Sequence, residues 1–236
     1  MAGINDSKFV KKFNVALAVL GGFNADKKSN EAALKAAKRG RKEFVFANPR
    51  EAIEKEIVSA LNFPGKIAVN VRASSLESYV EIAKVCGEYD AILEVNAHCR
   101  QPEFLEIGAG QSLLFNENKL LKIVERCSRF CLVSVKIRGG LSVDYRRLAE
   151  LIYSSAFFIH VDAMIPGGGA DFNLVKFLSS YGNVIGNNSV KDINTARKMI
   201  ESGAKLVSLA RAVLKNERIF DELLKDEILS SPVEVV

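Results

Sequence analysis

Residues 93–114, LEVNAHCRQPEFLEIGAGQSLL, place a thiol where a strand-like apolar run meets a polar segment and a Gly-Ala-Gly turn. A cysteine there is either a small apolar residue closing a core strand or a chemical group, acting as nucleophile or proton donor according to its protonation. His98 and Cys99 are neighbours, so an extended chain points them apart and a Cys–His pair is not expected from these two. Other apolar runs end on polar residues in the same way: Asn70 and Arg72, Glu94 and Asn96, Lys136 and Arg138, His160 and Asp162, Asn187 and Asn188, then Arg211. Residues two apart on a strand share a face, so each such pair has one orientation. Buried polar groups without partners are costly, so these must meet each other or a ligand. Their recurrence at strand ends points to a ligand site.

The elements that must position them repeat one pattern. Eight short apolar runs read as strands: 14–22, 43–47, 66–72, 91–97, 132–138, 157–163, 183–188 and 205–212. Their near-continuous apolarity fits parallel strands buried on both faces. Between them lie helical segments with capping residues, such as SNEAALKAAKRG, NPREAIEKEIVSAL with Asn before Pro, and SSLESYVEIAKVCGEY. Eight β-then-α units predict a (β/α)8 TIM barrel in one domain over 1–236, with the polar strand ends at its mouth. A doubly wound open sheet is the rival, but LGGFNAD is a poor match to its glycine fingerprint.

The chain has 236 residues, 48% hydrophobic and 26% charged, enough for a large core. It carries no apolar run of spanning length, and MAGINDSKFVKKF lacks the apolar core of a secretory signal, so no membrane association and a cytoplasmic location are expected. Cys86, Cys99, Cys127 and Cys131 show no paired-ligand pattern, so no metal site is expected and the thiols are read as reduced. The net charge is +5, and KAAKRGRK (35–42) is its densest cluster, either a solvated helix end or an attraction for phosphate-bearing partners.

In barrels the loops after the seventh and eighth strands often bind phosphate through backbone N–H groups. GNNSVKD and LARAVLKN occupy those places, with Ser189 or Asn188 expected to cap the next helix and Asn188 able to adopt a left-handed backbone. IPGGGAD (165–171) permits close backbone approach at the mouth or forms a flexible loop.

With these positions set out, the sequence resembles a shortened, archaeal-type relative of the flavin-dependent tRNA-dihydrouridine synthases. That family's Asn-x-Gly-Cys-Pro followed by Gly-x-Gly-x-x-Leu-Leu is matched by Asn96, Cys99, Gly108, Gly110, Leu113 and Leu114. Its Lys-x-Arg-x-Gly is matched by Lys136, Arg138 and Gly140, its strand-six His by His160, and its Gly-x-Ala-Asp by Gly168, Ala170 and Asp171. Its phosphate-loop Asn-Gly and Gly-Arg become Asn187-Asn188 and Ala210-Arg211. The departures are His98 and Arg100 around Cys99, a missing Ala-Pro-Met after the first strand, and HVDAM where the family has His-x-Arg-Thr.

The resemblance implies FMN held by Asn70, Lys136, His160, Asn187, Asn188, Ala210 and Arg211, with Asn70 in place of a family Gln. It implies substrate contacts from Asn96 and Arg138, and Cys99 as the general acid in reduction of a uracil C5–C6 double bond, with NAD(P)H as reductant. The family's C-terminal helical tRNA-binding domain is not expected here, so tRNA would bind weakly or with a helper protein; homo-oligomers are allowed. A dihydroorotate-dehydrogenase-type FMN barrel acting on a small molecule and a non-catalytic binding barrel are the alternatives.

Overall fold

A computed structural model describes residues 3–236. Its strands are β1 (Leu17–Asn24), β2 (Lys66–Arg72), β3 (Ile92–Asn96), β4 (Val133–Arg138), β5 (Phe158–Asp162), β6 (Met164–Ile165), β7 (Gly168–Ala170), β8 (Asn183–Asn187) and β9 (Leu206–Ser208). The helices are α1 (Ser7–Val10), α2 (Lys27–Lys38), α3 (Pro49–Ala60), α4 (Leu76–Glu88), α5 (Pro102–Glu106), α6 (Glu117–Cys127), α7 (Tyr145–Tyr153), α8 (Phe172–Ser179), α9 (Ile193–Glu201), α10 (Arg211–Lys215) and α11 (Ile219–Leu223). Among the described residues no helix is long and apolar enough to cross a membrane.

Seven parallel strands form one curled sheet in the order β1-β2-β3-β4-β5-β8-β9, the α/β barrel expected from the repeated units. Alternation along the strands divides the core. Val69, Leu93, Val135, Ile159 and Val184 belong to the cluster shared with the surrounding helices. Ala68, Ile92, Phe158 and Ile185 form a separate inner cluster with Val235. The helices bury one stripe each: α6 turns Leu120, Ile123, Val124 and Cys127 inward, a spacing of three and four residues. Asn48, with Pro49 following, and Ser75 cap α3 and α4 as their sequences predict. The α9 cap is Asp192, in a capping box with Thr195, and not Ser189 or Asn188. A carboxylate beside a hydroxyl two to three residues on satisfies the first-turn N–H groups better than the loop residues upstream.

One expected strand does not form. Residues 43–47 join no ladder, because β2 pairs with β1 along its whole length, from Lys66 opposite Leu17 to Arg72 opposite Asn24. Side chains take up the segment's polar groups instead: Asn24 Nδ2 donates to the Phe44 carbonyl at 2.6 Å and Asn30 Nδ2 to that of Phe46 at 2.7 Å. Phe44 and Phe46 pack on Phe23 with centroids 4.8 and 5.9 Å away. The apolar alternation reflected that aromatic cluster, not a place in the sheet. The glycine-rich loop at 165–171 is also more ordered than expected, forming the antiparallel hairpin β6–β7 with an exposed tip.

Candidate functional site

The parallel register sets the polar strand ends in tiers. Asn70 lies opposite Glu94, and Glu94 opposite Ser134. Above them Asn96 lies opposite Lys136, and Lys136 opposite His160. In the top tier Arg138 lies opposite Asp162, and Asp162 opposite Asn187. Residues expected only to share a barrel mouth are therefore direct neighbours.

The lower tiers form one hydrogen-bonded chain. Asn96 Nδ2 donates to Asn70 Oδ1 at 2.7 Å, and Asn70 Nδ2 donates to Glu94 Oε1 at 2.7 Å. Glu94 Oε2 takes His160 Nδ1 at 2.7 Å and the Ser134 hydroxyl at 3.3 Å. His160 Nε2 lies 3.2 Å from Lys136 Nζ. Burial alone would raise the fully enclosed Glu94 carboxyl, but His160, Lys136 and the Asn70 hydrogen bond bring it down to about 2. Burial, reinforced by the Lys136 charge, lowers His160 despite the pull of Glu94. The neutral ring then donates Nδ1–H to Glu94 and accepts from the Lys136 ammonium at Nε2, one tautomer for both contacts. Burial also lowers Lys136, against the attraction of Glu94 and Asp162.

The upper tier is organised by Asp162. Its carboxylate accepts from Arg138 Nη1 at 3.1 Å and Asn188 Nδ2 at 2.8 Å, and pairs with His98 Nε2 at 3.3 Å. These groups overcome the effect of burial and hold Asp162 down to about 2. For His98, burial outweighs the contact with Asp162, and Lys136 and Arg138 add to it, so the ring falls to about 4 and is neutral at pH 7.

Cys99 is fixed from both sides in sequence. Asn96 Oδ1 accepts from the backbone N–H groups of His98 at 3.3 Å and Cys99 at 2.9 Å, which turns the chain off the end of β3. Downstream, the Gln111 N–H donates to the Cys99 carbonyl at 2.8 Å. Gly110 has φ +62° and packs so closely that a Cβ would fall 2.4 Å from that carbonyl. The glycine turn is thus the bracket that holds the thiol. Gly110→Ala is expected to cost about 1–3 kcal/mol from backbone strain and to displace Cys99, read as a lower melting temperature together with an altered alkylation rate of Cys99. Cys99, 9% exposed as a residue, belongs to a buried cluster with Ala32, Ala33, Ala36 and Phe104, and its Sγ accepts from Arg72 Nη1 at 3.7 Å. That contact leaves its own S–H free to point elsewhere.

A cavity of about 850 Å³ opens at these strand ends, within the range of ligand sites. Asn70, Asn96, Cys99, Lys136, His160 and Ala210 line it. Arg138, Asn187, Asn188 and Arg211 do not: Arg138 and Asn188 are turned to Asp162, Asn187 Nδ2 donates to Ser208 Oγ at 2.9 Å, and Arg211 is exposed at the start of α10. Asn188 does take the left-handed backbone anticipated for it, at φ +99°. The cavity continues between β1 and β9, the two edges of the sheet, where Leu17, Val19, Leu206 and Val233 form an apolar wall.

No protein-family model matches the chain. It is 34% identical over 241 residues to the uncharacterized protein MJ0144 of Methanocaldococcus jannaschii, covering 97% of this chain and 93% of that one. The chain belongs to the MJ0144 family. Among solved structures, ligand-free DHODH from Eimeria tenella superposes with a TM-score of 0.60 at 15% identity, over 81% of this chain and 69% of that one. The same enzyme in complex with ferulenol gives 0.57 at 13% identity, over 81% and 67%. These likenesses establish a shared barrel fold.

Of the residues that organise this MJ0144-family site, one escapes a reading of strand ends and three are seen there without their partners. Glu94 and Asp162 were visible as carboxylates inside apolar strands, but only the register shows that each gathers three partners. Arg72 was visible as a polar strand end, without its contact to Cys99. Glu43 carried no signal, since it sits in an aromatic run that mimics a strand.

Proposed function

We propose that this protein is an FMN-dependent oxidoreductase that reduces the C5–C6 double bond of a uracil ring, with Cys99 as proton donor. The observation that carries the reading is one cavity lined by the Lys136–His160 pair and by the Cys99 thiol, each held in a fixed orientation. The fold shared with DHODH structures supports a flavin at that mouth.

The residues present fit such a cofactor. Asn70 and Lys136 line the cavity and offer N–H donors to a planar heterocycle, and Gly22 lets the β1 backbone lie against Asn70, since a Cβ there would sit 2.6 Å from Asn70 Oδ1. Asn70, Lys136 and His160 would hold the ring. The main chain of the loops at Asn187–Asn188 and Ala210–Arg211 would take the phosphate, because the Asn187 and Asn188 side chains are engaged elsewhere. FMN, when bound, would supply the hydride, with NAD(P)H the reductant we would test first. His160, kept neutral by burial and the Lys136 charge and oriented by Glu94, presents a lone pair that anchors the Lys136 ammonium. Asn96 shapes the loop that presents Cys99, and Cys99 gives its proton to the ring carbon beside the one that gains hydride. Arg138 would reach the substrate by exchanging its contact with Asp162.

Two expectations test this reading. The cofactor released by heating the purified protein should be FMN by mass, and protein that takes up no flavin from excess FMN contradicts it. Lys136→Met should lower flavin occupancy or slow its reduction by about tenfold or more, since one buried charge-assisted contact is lost, as followed by flavin absorbance.

The substrate we favour is a uridine within RNA. Lys35, Lys38, Lys42 and Arg100 are exposed, and α2 packs directly against the Cys99 loop, so a basic rim borders the thiol. Binding should be weak or assisted by a partner, and should fall as salt rises, because it rests on phosphate contacts. Replacing Lys35, Lys38 and Lys42 with Glu should remove most of the tRNA affinity seen by filter binding; unchanged affinity favours a small-molecule substrate.

A further inference from the structure

The one polar strand end that the flavin reading leaves unused is Arg72. It is 1% exposed, and both Nη atoms are engaged while Nε is buried without a hydrogen-bond partner among the described residues. Nη2 donates to Glu43 Oε2 at 2.6 Å and to the Gly22 carbonyl at 2.9 Å. Nη1 reaches Cys99 Sγ at 3.7 Å, and the guanidinium carbon sits 3.9 Å from the centre of the Phe104 ring. The Glu43 side chain is also fully buried and takes a second contact from Arg41 Nε at 3.1 Å. A buried ion pair gives little net stability over an apolar replacement of the same shape, so stability alone is a poor reason for this arrangement. Its placement offers another: the guanidinium touches the sulfur.

We propose that Arg72 is the electrostatic partner of Cys99, stabilising the thiolate left when the S–H proton is donated, with Glu43 offsetting the guanidinium charge at rest. This deepens the reading of Cys99 as proton donor and rests on it. In the step, the S–H bond breaks and its proton forms the new C–H bond. The S–H electron pair stays on sulfur, facing Nη1–H. The substrate thus gains a hydride from the flavin and a proton from Cys99, and a proton from water restores the thiol. An N–H donor gains strength as its acceptor becomes an anion, so Arg72 favours the product side of the transfer more than the reactant side. At rest the Glu43 carboxylate, 2.6 Å from Nη2, offsets the guanidinium charge beside Sγ. Residues 43–47 lie outside the sheet, where Glu43 meets Arg72.

The test is alkylation of Cys99 by iodoacetamide in the full-length protein at pH 7, followed by peptide mass spectrometry, with half-exposed Cys131 as internal control. Glu43→Gln keeps an acceptor for Arg72 and removes the offsetting charge. It should speed alkylation of Cys99 by about tenfold, because an unopposed cation favours the reactive thiolate. Arg72→Met combined with Glu43→Gln removes both charges and should make Cys99 slower than in wild type. The same double variant should slow single-turnover reoxidation of the flavin by about 10–100-fold with flavin affinity unchanged, as for a mispositioned catalytic group. Equal Cys99 rates in the three proteins would overturn the proposal. If the double variant shows no melting transition, Glu43→Gln decides alone: a faster Cys99 supports the coupling, and an unchanged or slower one overturns it. Alkylation needs no flavin, so wild-type protein that binds no FMN would refute the flavin reading without touching this measurement.

Discussion

Cys99→Ala is expected to suppress substrate-dependent reoxidation of the reduced flavin by about 10²–10⁴-fold, the usual effect of removing a positioned acid. The variant should fold and its flavin should still be reduced. The sulfur is packed among alanines and Phe104, where a methyl group leaves a small gap, so the stability loss should be about 1 kcal/mol. A core cysteine without chemistry predicts that same small loss and full turnover. Melting temperature and single-turnover reoxidation, measured on one preparation, separate the two. A destabilised variant with undiminished reoxidation would remove Cys99 from the mechanism.

The second large effect is structural. Glu94→Ala should destabilise the fold by about 3–5 kcal/mol, because it removes one of the two carboxylates that balance the buried Lys136 charge and leaves Asn70, Ser134 and His160 Nδ1 without their acceptor. In a chain of this size that lowers the melting temperature by about 6–20 °C. A loss below 1 kcal/mol would mean that water replaces the carboxylate and that the site is wetter than its burial indicates. The pH dependence follows from the same network. Glu94 and Asp162 are held at about 2 from ordinary values of 4.5 and 3.8, so the stability they contribute is present above those values and lost as pH falls toward 2. His98, lowered to about 4 from 6.5, and His160, also lowered, are protonated first in the unfolded chain. Every one of these groups makes the unfolded state bind more protons, so stability should fall from about pH 6.5 downward and more steeply below about 4.5.

The barrel was legible because its strands are buried on both faces and therefore spell continuous apolar runs, from KIAVNVR to NVIGN. Lys136, His160, Asn70, Asn96 and Cys99 were legible for the complementary reason: a polar residue in such a run has to be satisfied at the mouth. Side-chain pairing across neighbouring strands was not legible, because it depends on register. Spacing within one strand could not show that Arg138 and Asn188 both turn to Asp162 instead of the cavity. Residues 43–47 misled for a specific reason. Phe44 and Phe46 alternate as a strand would, yet they pack on Phe23 while Glu43 is drawn to Arg72, a partner distant in sequence.

The most direct test of the account is a single turnover. FMN-loaded protein, reduced and freed of oxygen, is mixed with uridine-containing RNA and with free uracil nucleotide, and the return of oxidised-flavin absorbance is followed alongside the RNA product. Reoxidation by the uracil substrate is expected, with one dihydrouridine formed for each flavin oxidised. A flavin that stays reduced in the presence of every uracil compound, or oxidises without any dihydrouridine, would contradict it.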